Sequence, residues 1–389
     1  MRSGVDRSTT PSKRNNLAVR GRTQIRLASC SSVLAMLDPS TIPDLIGLHD
    51  LDPAWLVSGS GARLEAVRRA GRRLRERILS AGPVRAVRTA DLATFPYPAR
   101  YGLQGVAASP APYLFLRNRA HLVQVESARG LITILVNPTD PVRSAKAPYF
   151  ARLEERFGKL ATRLLGKFHT TIPEALERFG VRPEDIDFVT FDHLHVQDVR
   201  GLLAPGADGR VLLPNAKLLA QRTELETFGA IHPLQVEWYI PECLAGVPAD
   251  RIVALDGDYA IGNGFAIVRT PGHTRGNHSL VVVTDRGAWT ISENGISVDA
   301  YAPGTSRIRG VATHARDHGV EVILNANTRE GSLDQYTSMV LEKTLADPVP
   351  DRPELPQHFP SSELVGHPFA PGLDPTYTHG EITYGAVAS

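Results

Sequence analysis

Residues 269–279 read Arg269-Thr270-Pro271-Gly272-His273-Thr274-Arg275-Gly276-Asn277-His278-Ser279. The apolar run ahead of them, Phe265-Ala266-Ile267-Val268, reads as a strand, and the Pro-Gly pair ends it in a tight turn. His273 is therefore presented at a strand end on fixed backbone, which suits a metal ligand. Ser279 and the backbone near it are candidates to hold the second ring nitrogen of His273. His278 opens the next strand and reads as structural. Taken alone, the stretch is also an ordinary turn with an incidental histidine. A second stretch complements it: the apolar run at 186–191 leads directly into Asp192-His193-Leu194-His195-Val196-Gln197-Asp198. Two imidazoles two positions apart, where a strand gives way to a loop, can converge on one point, as a divalent cation requires of its nitrogen or oxygen donors. Asp198 adds a carboxylate. Alone, this stretch too reads equally as hydrogen-bonded histidines at a strand terminus.

Outward from these two stretches the pattern is mixed. Strand candidates stand at 113–118, 121–127 and 130–137, and a strand-rich region covers 252–292. Helical periodicity marks 61–80, 149–166, 173–179, 306–318 and 333–346, and 320–325 reads as extended. Pro173 near the start and Gly180 after the end punctuate one of these helices. Two groups of strands, each followed by helices, indicate an α/β (α+β) chain and not a strict βαβ repeat. No glycine-rich phosphate loop follows a strand, which argues against a nucleotide-binding fold.

The chain has 389 residues, 42% of them hydrophobic, enough for a sizeable core. Its formal net charge of +2 is unevenly spread: the first ~90 residues carry roughly +9 and the remainder roughly −7. In the 61–80 helix, Leu64, Val67, Leu74 and Ile78 share one face, and seven arginines between Arg63 and Arg77 fill the rest. No aromatic residues interleave to stack bases, so a solvated face is the better reading and nucleic acid is not an expected partner. The two cysteines, Cys30 and Cys243, make neither a disulfide framework nor a cysteine-rich zinc site, and a reduced, cytoplasmic setting follows. The stretch ending at Cys30 has the form of a lipoprotein cleavage site, but Arg20, Arg22 and Arg26 stand where its apolar segment belongs. No apolar run is long enough to span a membrane.

Together the two histidine stretches resemble the metallo-β-lactamase superfamily. That family carries His-x-His-x-Asp-His at a strand end. A segment like Pro214-Asn215-Ala216-Lys217-Leu218-Leu219-Ala220-Gln221 follows, then a Gly-Asp stretch like Asp256-Gly257-Asp258, then Thr-Pro-Gly-His-Thr-x-Gly. All four occur here in the family's order, and Thr270-Pro271-Gly272-His273-Thr274 matches unchanged. Details over 188–283 look most like the lactonase and related hydrolase branch. The resemblance implies a four-layer αββα sandwich with mixed sheets over 110–347. Around it are expected a disordered basic leader (1–35), an N-terminal helical extension (36–109) and an irregular Pro-rich C-terminal tail (348–389).

The departures from the family pattern lie at its second metal position. The family's Asp and His fall on Gln197 and Asp198, its bridging Asp on Asn294 beside Glu293, and its last His on Asn325 or Asn327. The resemblance thus implies one intact set of ligands, His193, His195 and His273, with Asp198 and Glu293 as oxygen donors. One Zn2+ is expected, and the oxygen donors also admit Fe2+ or Mn2+. The expected chemistry is a metal-dependent hydrolase that turns a metal-bound hydroxide on an ester, lactone or amide-type bond of a small molecule, with Asp198 carrying the proton. Two alternatives stand beside it. One is a mononuclear non-haem iron oxygenase using His193, His273 and Glu293, and the other a catalytically silent binding protein of the same fold. Two lesser expectations concern other residues: a tail histidine (His358, His367 or His379) replacing the missing last ligand, and Trp238-Tyr239-Ile240 as an exposed subunit contact. Substrate identity and oligomeric state are not written in the sequence.

Overall fold

The computed structural model describes residues 36–388; the basic leader expected at 1–35, including Cys30, lies outside them. The strands in chain order are β1 (Leu45–Leu48), β2 (Ala86–Pro98), β3 (Tyr113–Ser127), β4 (Gly130–Val136), β5 (Lys167–Phe168) and β6 (Phe188–Thr190). Next come β7 (Lys217–Gln221), β8 (Ile252–Leu255), β9 (Asp258–Ile261), β10 (Phe265–Arg269), β11 (His278–Thr284) and β12 (Gly287–Ser292). The C-terminal part adds β13 (Pro348–Val349), β14 (Arg352–Pro356), β15 (His358–Pro360), β16 (Ser362–Val365) and β17 (Tyr384–Gly385).

One sheet runs β17-β2-β3-β4-β6-β7-β8, with β16 also on β3 and β5 on β2. It is antiparallel through β2, β3 and β4, and parallel from β4 through β6 and β7 to β8. A second runs β1-β9-β10-β11-β12-β15 and is antiparallel except where β15 joins β12, and β13 and β14 form a small two-stranded sheet of their own. The two larger sheets are mixed, as expected.

Period-two alternation makes the layers. On β10 and β11, Phe265, Ile267, Leu280 and Val282 face inward and meet Val123, Ile134, Val136 and Leu219 of the other sheet. The alternate residues, Ala266, Val268, Val281 and Val283, face outward onto Val67, Leu74 and Ile78 of the Ser60–Ser80 helix and Leu341 and Leu345 of the Ser332–Leu345 helix. The first sheet's outer face is covered in the same way by Ile172 and Leu176 of the Ile172–Phe179 helix. That helix has the expected signals: a capping box from Thr171 and Glu174, Pro173 in its first turn, and Gly180 left-handed at its end. Helix, sheet, sheet and helix are the four layers of the αββα sandwich.

Three expectations about the periphery need correction. Residues 36–109 are not a helical extension alone, because β1 forms an edge of one sheet and β2 lies within the other. The tail from Pro348 is not merely irregular, because β15, β16 and β17 add strands to both sheets. Trp238, Tyr239 and Ile240 are 4%, 0% and 4% exposed, so they form no exposed subunit contact. The arginines of the Ser60–Ser80 helix are largely turned to local use: Arg63 pairs with Asp334, Arg68 with Glu321, Arg75 with Asp347 and Arg77 with Asp50. Among the described residues no helix is long and apolar enough to cross a membrane.

Candidate metal centre

The loops that follow β6 and β10 bring the two histidine stretches together. His193, His195 and His273 are buried, and one ring nitrogen of each lies within 4.8 Å of the others. His195 Nδ1 is 3.2 Å from His273 Nε2. Two nitrogens at ~2.0–2.1 Å from one zinc ion at tetrahedral angles are about 3.3 Å apart. Burial first, then the charge on His193, holds His195 and His273 well below the usual imidazole range, so both keep a lone pair to offer. At His193 burial works in the same direction, but the charge and hydrogen bond of Asp192, aided by Glu293 and Glu224, outweigh it and push the ring up to about 9. His273 Nδ1 is buried without a hydrogen-bond partner. The donor set fits a transition-metal cation of the zinc type.

The surroundings hold this geometry. Val196, between His195 and Gln197, has φ 54, an unfavourable left-handed conformation for a β-branched residue. Its N–H donates to the Trp238 carbonyl at 2.6 Å, which helps to fix it there. Asp192 lies with Oδ1 3.1 Å from His193 Nδ1, while its Oδ2 accepts from Ser361 Oγ at 2.8 Å. Glu293, half-buried, forms a second group with Asp192 and His193 whose ligand atoms also lie within 4.8 Å of one another. Burial raises its carboxyl group, against the opposing charge of His193.

Asp198 is a correction. Both its oxygens accept from the Arg200 guanidinium, at 2.8 and 2.6 Å, and it joins neither ligand group. An arginine two residues along captures it and keeps it out of both groups of candidate ligands. The altered second-site positions act as struts. Asn294 accepts from the His273 N–H at 3.2 Å and donates to Glu342 at 2.7 Å. Asn325 accepts from the Tyr97 hydroxyl at 2.8 Å. Ser279 does not reach His273; its hydroxyl donates to Glu342. His278 is structural, with Nε2 3.0 Å from Thr190 Oγ1. His358 pairs with Thr290, and none of His358, His367 and His379 joins a ligand group.

The sequence did not reveal the carboxylates that organise the centre. Asp192 was visible only as the residue before His193. Glu224 belongs to no motif of the sequence, yet it ties both histidine stretches together. One oxygen accepts from Leu194 N and Tyr239 Oη, each at 2.8 Å, and the other from Thr274 Oγ1 at 2.6 Å. No local period signals such a contact, since its partners lie 15 to 50 residues away.

The three imidazoles and Glu293 line a cavity of about 820 Å³ whose walls include Phe95, Tyr97, Phe150 and Trp238. A largely apolar cleft with a few convergent polar groups is the usual form of a small-molecule site.

An αββα sandwich with a histidine centre at its strand ends bears out the resemblance to the metallo-β-lactamase superfamily. Its sequence relatives are N-acyl homoserine lactonases. An N-acyl homoserine lactonase of a Bacillus species is 32% identical over 115 residues, 30% of this chain and 40% of the relative. The N-acyl homoserine lactonase AiiA of Bacillus thuringiensis subsp. kurstaki is 31% identical over 115 residues, again 30% and 40%. The chain thus spans 40% of the length of these curated relatives. Among solved structures, AidC, a dizinc quorum-quenching lactonase, aligns with TM-score 0.44 and 13% identity over 79% of this chain and 96% of that one. A quorum-quenching N-acyl homoserine lactone lactonase aligns with TM-score 0.41 and 20% identity over 61% and 86%. No protein-family profile matches the chain.

Proposed function

We propose that this protein is a metal-dependent hydrolase that opens a lactone, ester or amide-type bond of a small molecule, with one divalent cation, zinc in the first place, on His193, His195 and His273. The observation that carries this reading is the convergence of three buried imidazoles on the floor of an apolar cavity. A cation held there supplies Lewis-acid polarisation of a carbonyl and of a water near neutral pH. The protein's own residues do the rest. Asp192 holds His193 in place, and Glu224 keeps the two ligand stretches in register. Glu293, facing the same cavity with a raised carboxyl group, donates a proton to the leaving oxygen or nitrogen in place of Asp198. Phe95, Phe150 and Trp238 exclude water and receive the apolar part of the substrate.

The third imidazole favours this reading over an iron oxygenase, because His195 approaches His273 to 3.2 Å and makes the set nitrogen-rich. Lactones with an acyl substituent are the first substrates to offer, given the lactonase relatives.

The test is metal analysis of the purified protein together with lactone and ester hydrolysis. Bound zinc near one per chain is expected. His273→Ala is expected to lose the metal and on the order of a thousandfold in turnover while keeping its circular dichroism. Full activity in His273→Ala, or no metal in the wild-type protein even after loading, overturns the proposal.

A further inference from the structure

His195 faces the metal centre with Nδ1, 3.2 Å from His273 Nε2. Its opposite nitrogen, Nε2, lies 3.1 Å from Gln235 Oε1. Gln235 is buried, and its amide nitrogen donates to a carboxylate oxygen of Glu330. An ionised carboxylate only accepts hydrogen bonds. Glu330 therefore decides which end of the Gln235 amide faces which neighbour: nitrogen to Glu330, oxygen to His195. A carbonyl oxygen also only accepts, so the proton of a neutral His195 must sit on Nε2. The other tautomer would set two lone pairs against each other across 3.1 Å. With the proton on Nε2, the Nδ1 lone pair is free on the side where His193 and His273 converge.

We propose that Glu330, acting through Gln235, sets the tautomer of His195, so that both are positioning residues for a transition-metal cation of the zinc type. The inference rests on the reading of His195 as a metal ligand. The three residues are brought together by the fold alone, since Gln235 is 40 residues from His195 and 95 from Glu330. Glu330 stands at an exposed position, so the relay runs from the surface to a buried ligand.

The experiment uses the full chain, 15N-labelled and metal-free. A long-range proton–nitrogen correlation spectrum distinguishes protonated from bare ring nitrogens, and competition with a chelator gives zinc affinity. The wild-type protein is expected to show His195 protonated at Nε2. Glu330→Gln frees the amide to flip, and Gln235→Leu removes the acceptor. Each is expected to populate the Nδ1-protonated form and to raise the zinc dissociation constant roughly 10- to 100-fold. The double variant Gln235→Glu with Glu330→Gln keeps an acceptor facing His195 and a donor–acceptor pair behind it, and is expected to restore the wild-type tautomer. A wild-type ring protonated at Nδ1 overturns the inference, as does Glu330→Gln with unchanged tautomer and affinity. Absence of zinc binding in the wild-type protein defeats the hydrolase reading instead, and the metal-free spectrum still decides the tautomer.

Discussion

At the scale of single residues, buried carboxylates divide by what they face. Glu224 accepts three hydrogen bonds and is used as a tie. Asp258, 4% exposed, accepts from the Arg269 N–H at 2.7 Å, and burial above all pushes it up from 3.8 to about 7. The sign of the linkage follows. Between pH 3.8 and about 7 the folded state keeps a proton that the unfolded state has released, so this group's stabilisation falls as pH rises through that window and is gone above it. Asp258→Asn keeps the acceptor and removes the charge. It is expected to stabilise the protein at pH 8, by roughly 2 kcal/mol more than at pH 5, in urea unfolding. Equal effects at the two pH values would show that the group is not carrying a buried charge.

At the scale of elements, the turn that presents His273 meets a helix backbone to backbone. Gly272 has φ 144, and a Cβ there would lie 2.2 Å from the Gln335 backbone in the first turn of the Ser332–Leu345 helix. Gln335 in turn donates to the carbonyls of Asn294 and Asn325, at 2.9 and 2.8 Å. Gly272→Ala must displace either the turn or the helix. A loss of about 2 kcal/mol or more in thermal unfolding and a roughly tenfold weaker zinc affinity are expected. An unchanged melting temperature and affinity would show that the contact yields freely. The same scale explains why one extended segment joins no sheet. The segment 320–325 is apolar and reads as extended, and Val322, Ile323 and Leu324 are indeed buried. It forms no strand, because β15 takes the free edge of β12 and Ile323 N donates to Ala300 O instead.

At the scale of the molecule, the C-terminal segment ties the two sheets and reaches the metal centre. β15 extends one sheet while β16 and β17 join the other. Glu363 on β16, fully buried, pairs with Arg119 on β3, itself 2% exposed. Ser361, between β15 and β16, holds Asp192. Glu363→Ala leaves Arg119 with only Asp91, and a loss of about 2–4 kcal/mol in urea unfolding is expected. An unmoved midpoint would show that Asp91 compensates Arg119 alone. Among the buried ion pairs, this one binds the tail most directly to the sandwich core.

What the sequence by itself determined was periodic or local. Alternation on β10 and β11, the capped helix at Ile172–Phe179, and the Pro-Gly turn that fixes His273 are all written in neighbouring residues, and so were the three imidazoles at strand ends. Only the tertiary structure decided which carboxylates serve the centre. Asp198 has the right spacing to reach it but lies beside Arg200, whose charge claims it. Asp192, Glu224, Gln235 and Glu330 meet their partners mostly across 30 residues or more. Side-chain hydrogen bonds over such separations leave no period along the chain, because the burial that makes them obligatory exists only once the sheets have closed.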